Sequence, residues 1–195
     1  MLLDRSAQDR SAQSARVFTI GHGSRDLQEI LDILHCAGIA CVADVRSYPM
    51  SRRHPAFSSS ALSTRLEEEC IAYHWLGKTL GGFRKSSSQS PHVALEATGL
   101  RGFAEHMHSG VFLEGIEVLL DLAHRHATAI LCAERLPQDC HRSLIADHLV
   151  MRGIPVVHLI DMTNQAPHRL NKLARHQEGR LIYDRGSTEQ LGLKW

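Results

Sequence analysis

From Val17 onward the chain alternates short apolar runs, rich in Val and Ile, with longer segments whose apolar residues recur at helical spacing. That alternation constrains the fold more than any other feature. Val17-Phe18-Thr19-Ile20, Ile39 to Val45, Ile71 to Leu76, Thr128 to Ala133 and Val156 to Ile160 read as strands. The run from Ile39 to Val45 is apolar on both faces, as a strand inside a parallel sheet is. Between the strands lie helical patterns: Leu27, Ile30, Leu31 and Leu34 ahead of Gly38; residues 61–70; residues 100–108; residues 112–126, with Phe112, Ile116, Leu119, Leu120 and Ala123 on one face; and Arg142 to Arg152, stopped by Gly153. Strands separated by helices form βα units with right-handed crossovers. The expected architecture is α/β and three-layered, with a mostly parallel sheet of about five strands and helices on both faces, Rossmann-like or flavodoxin-like.

Composition sets the outer bounds. The chain has 195 residues, 43% of them hydrophobic, enough for one core. Residues 1–16 carry a polar near-tandem repeat, Asp4-Arg5-Ser6-Ala7-Gln8 then Asp9-Arg10-Ser11-Ala12-Gln13, and are expected to be a disordered tail ahead of a single domain at 17–195. Within that domain 162–195 reads as a C-terminal arm, with Leu181-Ile182-Tyr183 as a final edge strand or a docking arm. Gly77 to Pro91 is too long for a plain connector and is read as a site lid or a disordered loop. No stretch approaches about 18 uninterrupted apolar residues, and Met1-Leu2-Leu3-Asp4-Arg5 opens no run of signal-peptide length, so a cytoplasmic protein without membrane contact is expected. A net charge of +1 excludes a uniformly basic nucleic-acid binder, so any such surface is local. Five cysteines, an odd number, in a reducing compartment argue against a disulfide framework.

Ligands of open parallel sheets bind beyond the carboxyl ends of the strands. Applied here, that rule selects Gly21-His22-Gly23-Ser24, Asp44-Val45-Arg46, the neighbourhood of Gly81-Gly82 after strand three, and Cys132-Ala133-Glu134. Ser24 is the expected cap of the first helix. The densest signal is Cys132-x-Glu134 followed by Cys140-His141-Arg142. Cys140 falls at a helix N-terminus, where unpaired amides, Arg142 and a protonated His141 favour a thiolate, which is either a nucleophile or a metal ligand. The same helix end can cradle a phosphate with Arg142 as bidentate partner. Cys36, Cys41 and Cys70 sit inside apolar patterns and are read as core; His35, His124, His126, His148, His168 and His176 are read as surface. Asp44 and Arg46 close a buried strand, which calls for an ion pair or a ligand. Ser51-Arg52-Arg53-His54 and Gly81-Gly82-Phe83-Arg84-Lys85 are basic loops, each either solvated or in contact with an anion. No phosphate-binding loop, dinucleotide fingerprint or H-E-x-x-H is present, and no CxxC pair has zinc-finger spacing.

Thr19-Ile20-Gly21-His22-Gly23, Asp44-Val45-Arg46-Ser47-Tyr48-Pro49 with Ser51-Arg52-Arg53, Leu80-Gly81-Gly82, Gly102-Phe103-Ala104, and Cys132-Ala133-Glu134 with Cys140-His141-Arg142-Ser143-Leu144-Ile145-Ala146 occur in that order. Over roughly residues 17–160 the chain resembles the DUF488 family of bacterial proteins. The resemblance implies an α/β domain with a Cys/His-containing site. Gly23 stands where members carry a Ser in the first turn, and Ser24 follows it.

The functional expectation is a small cysteine-dependent hydrolase or transferase. Its Cys140 is the nucleophile, His141 or His22 the proton carrier, and Glu134 or Asp44 an orienting carboxylate. Arg46, Arg142, Arg52, Arg53, Gly21, Gly23, Ser24, Gly81 and Gly82 would bind an anionic substrate, a nucleotide or nucleic-acid component. A non-catalytic nucleotide or nucleic-acid binding module is one alternative. No cofactor is expected, although a zinc or iron ion held by Cys132, Cys140, His141 and His22 is a further alternative.

Overall fold

The computed structural model describes residues 15–50 and 54–185, so most of the expected tail, together with Arg52 and Arg53, lies outside the described residues. The chain runs β1 (Val17–Gly21), α1 (Leu27–Cys36), β2 (Cys41–Asp44), a 3-10 turn (Pro55–Phe57), α2 (Ser59–Glu68), β3 (Ala72–Trp75), α3 (Gly77–Leu80), α4 (Thr98–His106) and α5 (Gly110–Arg125). It continues through β4 (Thr128–Cys132), a second 3-10 turn (Pro137–Asp139), α6 (Arg142–Met151), β5 (Val156–Leu159), β6 (Gln165–Pro167), β7 (Ala174–Gln177) and β8 (Arg180–Tyr183). The predicted strands therefore all form, and each predicted helix lies within about two residues of its expected position. The displacements follow local chemistry. Asp26 caps α1 by accepting the Glu29 amide at 2.8 Å, while Ser24 is exposed and caps nothing. Ser109 starts α5 by accepting the Phe112 amide at 3.2 Å.

The main sheet has six strands in the order β3-β2-β4-β1-β5-β6. The first five are parallel, and β6 adds an antiparallel edge against β5. Period-two alternation divides the strand side chains between two cores. Ile20, Val42, Ala129 and Leu131 meet the apolar stripes of α1 and α2, including Ile30, Leu34, Leu62 and Leu66. Val17, Ala43, Ile130 and Cys132 meet α4, α5 and α6 through Phe103, Phe112, Leu119 and Leu144. Each large apolar side chain so buried contributes about 1.5–3 kcal/mol. Among the described residues no helix is long and apolar enough to cross a membrane.

Several expectations change. Leu181 and Tyr183 belong to the β7–β8 hairpin rather than to the main sheet's edge, because their side chains are drawn into the α4–α6 core. The arm is further tied down at Asp147, which accepts the Tyr183 hydroxyl at 2.9 Å and the Asn171 amide at 2.8 Å and pairs with His168 at 2.8 Å. His168 in turn meets His158 at 2.9 Å, and His158 meets the Thr19 hydroxyl at 2.7 Å. His148 is thus buried and His168 half-buried, not on the surface, since Asp147 and His148 lie on the inward side of α6. Cys36 and Cys70 are exposed at the ends of α1 and α2, beyond the inward stripes; only Cys41 of the three expected core cysteines is buried. The segment after β3 opens as the turn of helix α3, which separates Gly81-Gly82 from the end of the strand.

The topology also locates the site. Strands β1 and β4 are neighbours, yet β1 feeds α1 on one face while β4 feeds α6 on the other. Their exit loops diverge and leave a crevice at the carboxyl edge, the switch point where open α/β sheets bind ligands.

Candidate active site at the carboxyl edge

The crevice is built from two extended strand ends. Beyond β1 and β4 the backbone pairing continues, His22 N–H to Cys132 O at 3.1 Å and Gly23 N–H to Ala133 O at 2.7 Å, so the two loops leave in fixed register. Gly21 is required beneath them. A Cβ there would stand 1.8 Å from the Glu134 carbonyl and 2.5 Å from the Arg142 guanidinium. Arg142 fills this space, donating to the carbonyls of Glu134 at 2.6 Å and Arg135 at 2.8 Å. It is only 1% exposed and does not line the crevice. Its expected role in ligand binding is therefore replaced by that of a clamp on the β4–α6 loop.

A cavity of about 450 Å3 opens above this layer, lined by His22, Gly23, Arg46, His54, Gly82, Cys132, Glu134 and His141, with Ser47, Tyr48, Met50 and Phe83 around the mouth. Its floor is the thiol–histidine cluster. The Cys132 thiol donates to Glu134 Oε2 at 2.9 Å, and the sulfurs of Cys132 and Cys140 each lie 3.7 Å from His141 Nδ1. One donor atom from each of Cys132, Glu134, Cys140 and His141 lies within 4.8 Å of all the others. His141 Nε2 is 3.3 Å from the Val45 carbonyl, an obligate acceptor, so Nε2 carries the proton and Nδ1 turns its lone pair toward the sulfurs. The ring is held by the edge-to-face contact with Phe103 at 4.9 Å and by Gly82, where a Cβ would come within 2.3 Å of Nδ1.

The electrostatics of the floor follow from crowding. The Cys132 thiol is held well above the ordinary thiol range by its hydrogen bond with Cys140, by burial and by the charge Cys140 would carry, so it keeps its proton. Burial works against a charged His141, but its hydrogen bond to Cys132, the nearby Glu134 carboxylate and the Val45 carbonyl outweigh this and raise its pKa. Burial would push Glu134 up, yet hydrogen bonds from Cys132 and Cys140 bring it below its ordinary value.

The walls carry a second imidazole and a guanidinium. His22 is stacked on Phe57 with ring centres 4.3 Å apart, and its Nδ1 donates to the Gly23 carbonyl at 3.0 Å, which leaves the lone pair on Nε2. Burial, with Arg46's charge adding to it, pushes His22 down to about 4, so the ring is neutral at pH 7. Arg46 is gripped by Asp44, whose two oxygens accept from Nε at 2.9 Å and Nη2 at 2.5 Å, and it donates from Nη1 to the Phe57 carbonyl at 2.8 Å. Of five guanidinium hydrogens, two are left uncommitted by these bonds. Asp44 itself is fully buried beneath Arg46 and also accepts the Tyr73 hydroxyl at 2.8 Å. It is a positioning residue, not a group of the cavity surface.

The sequence-predicted site thus divides. Cys132, Glu134, His141, His22, Arg46, Gly23 and Gly82 are brought together around one cavity. Cys140 joins the cluster from behind, 1% exposed and not part of the lining, so Cys132 and not Cys140 is the thiol that faces the cavity. Ser24 and Gly81 are not part of the lining. The metal alternative changes in one member: Glu134, not His22, is the fourth donor of the cluster. Tyr48, Met50 and Phe83, 75%, 82% and 78% exposed, are not among the expected site residues, although Tyr48 lies in the motif after strand two and Phe83 in the basic loop that begins at Gly81. Gly82 and Phe83 also border a second cavity of about 600 Å3, lined by Arg84, Lys85, three consecutive serines from Ser86, Thr98, Gly99 and Arg101.

A family model described as a domain of unknown function, DUF488, matches residues 26–149. No curated protein and no solved structure matches the chain.

Proposed function

The chain belongs to the DUF488 family, and from the geometry of its cavity we propose that it is a small enzyme acting on an anionic, phosphate-bearing substrate, a nucleotide or a nucleic-acid component. The observation that carries this reading is the convergence on one hollow of a thiol–imidazole–carboxylate floor with a fixed guanidinium and a neutral imidazole on its walls. In it, Arg46 offers its two uncommitted N–H groups to the negative charge, and His22 Nε2 accepts or returns a proton. Bond breaking takes place over Cys132, Glu134 and His141. Asp44 positions Arg46, and Cys140 positions the floor.

Two further features support the substrate class. The adjoining cavity adds Arg84, Lys85 and a run of serines beyond Phe83, which suits a ligand longer than a small anion. The exposed rings of Tyr48 and Phe83, packed edge to face with centres 6.0 Å apart, suit stacking of a base on an open ring face. Arg52 and Arg53, between the lining residues Met50 and His54 in sequence, are assigned to binding of the same ligand.

The test is turnover of a panel of phosphomonoesters, phosphodiesters, nucleotides and short oligonucleotides by the full chain, with inorganic phosphate as competitor. We expect His22→Asn to lower turnover by more than about 100-fold and Cys132→Ser to abolish it. A panel with no substrate, or undiminished turnover in Cys132→Ser, overturns the reading. Salt-dependent nucleotide binding without turnover, unaffected by Cys132→Ser and weakened by Arg52→Ala with Arg53→Ala, would instead make the chain a binding module.

A further inference from the structure

We propose that Cys132, Cys140 and His141 hold one zinc ion at the floor of the cavity, with Glu134 at the fourth corner, where it exchanges with water or substrate. The site rests on the geometry of the donors. For a tetrahedral zinc with sulfur at about 2.3 Å and nitrogen at about 2.0–2.1 Å, the S···N edge is about 3.5–3.6 Å. Both sulfur-to-His141 Nδ1 distances are 3.7 Å, so the two thiols and the imidazole already stand at the edges of such a polyhedron. The third edge type differs. Cys132 Sγ to Glu134 Oε2 is 2.9 Å, the length of the thiol hydrogen bond, and it would open by roughly half an ångström once the proton is displaced.

The surroundings are those of a ligand set rather than of a core. His141 Nε2 donates to the Val45 carbonyl, the outer hydrogen bond that fixes the tautomer and aims the other nitrogen of a metal-bound histidine. The Arg142 amide points at Cys140 Sγ from 3.5 Å, a donor that stabilises a thiolate ligand. Gly82 leaves open the space beside Nδ1 that a Cβ would enter. Two sulfurs, one imidazole and one carboxylate form a borderline-soft donor set that selects zinc over calcium or magnesium. Three ligands are buried and Glu134 alone is exposed on the cavity side, the layout of three fixed ligands with an exchangeable fourth position that catalytic zinc sites share.

This deepens the enzyme reading and rests on it only for what enters the fourth corner, where a zinc-bound water would lose a proton far more readily than bulk water. The ion itself is tested without any substrate. The full chain, purified without chelator and with thiols kept reduced, is analysed for metal by elemental mass spectrometry. It is then stripped and titrated with Co2+, whose tetrahedral thiolate complexes show intense visible and near-ultraviolet bands. We expect about one zinc per chain, a saturable cobalt spectrum at one equivalent, and competition of cobalt by zinc. Cys132→Ser, Cys140→Ser and His141→Ala should each lower zinc affinity by more than about 100-fold, and Gly82→Ala should lower it by about 10–100-fold without removing a ligand. Glu134→Gln should retain stoichiometric metal and alter the cobalt spectrum. A folded, fully reduced protein with less than about 0.1 metal per chain and no cobalt spectrum overturns the proposal, as does recovery of a Cys132–Cys140 disulfide in the native protein. Metal-free protein that still turns over phosphate esters would sink the ion and keep the enzyme; stoichiometric zinc without any turnover would do the reverse.

Discussion

Helix α6 carries two buried polar clusters, one at its entry and one in its middle, and they are built on opposite logic. In the middle, Asp147 is fully buried and its oxygens are taken up by the Tyr183 hydroxyl, the Asn171 amide and His168. The chain of bonds runs on through His158 to Thr19, so each of these partners has a place and none of them lines the cavity. At the entry, Cys132, Cys140 and His141 are equally buried, but their lone pairs converge on one another and the group opens into a cavity. The first arrangement ties a C-terminal hairpin to the sheet. The second also joins the start of α6 to the end of β2 through His141 and the Val45 carbonyl, but its lone pairs converge beside open space, which is what a ligand needs. Burial alone does not separate the two clusters; what does is that the entry cluster opens onto a cavity and the middle one does not.

Acid should have the largest effect, on the fold as a whole and, through His158, on the structural cluster. Burial pushes His158, His92 and His148 down to about 4, and His22 in the cavity likewise. Their folded pKa lies below the unfolded value of about 6.5, so between these limits the unfolded chain binds more protons. The stability they contribute is complete above about pH 6.5 and is lost as the pH falls toward about 4. The urea midpoint should therefore fall steeply between about pH 7 and about pH 4.5, by more than a single substitution in either cluster lowers it. A flat midpoint would mean that these rings are charged in the fold. Next in size is Asp147→Ala, which strands the buried Tyr183 hydroxyl and His168; we expect a loss of about 3–5 kcal/mol in urea unfolding. Amide exchange should accelerate first across residues 174–183, while the reactivity of the cavity thiol stays as it was.

The two clusters are also unequally legible. The entry cluster is local in sequence: Cys132-x-Glu134 and Cys140-His141 sit at the end of a predicted strand and the start of a predicted helix, so the strand-end rule alone brings them to one edge. His22 and Arg46 follow by the same rule from β1 and β2. What spacing does not reveal is orientation at the next level down. Arg142 is one residue from His141 yet turns under the loop to reach backbone carbonyls, and Cys140 points behind Cys132 instead of into the cavity. The middle cluster draws on positions 19, 147, 158, 168 and 183, far apart in the chain, and no local pattern joins them. Its one sequence trace is Asp147 within the apolar stripe of α6, between Leu144 and Met151, where a polar side chain must find partners or forfeit about 1–3 kcal/mol. The hairpin that supplies those partners reads as a polar arm because only Ala174, Leu181 and Tyr183 enter the core.

The smallest effect is the most discriminating. Cys132→Ser replaces a thiol that donates to Glu134 with a hydroxyl able to make the same bond, in a position where the backbone is already fixed by the β1 and β2 pairings on either side of β4. With a chelator present, so that any stability linked to an ion is removed from both proteins, the unfolding free energy of the variant should stay within about 1 kcal/mol of the parent. The cavity should nonetheless lose its chemistry. The contrast with Asp147→Ala is then one of kind: a closed cluster whose removal costs the fold and spares the cavity, against a cluster open to the cavity whose removal spares the fold and costs the cavity. If Cys132→Ser instead unfolds as readily as Asp147→Ala under chelation, the thiol is holding the strand end in place. The entry cluster would then be a second structural knot, and the search for chemistry would move to His22 and Arg46 on the cavity wall.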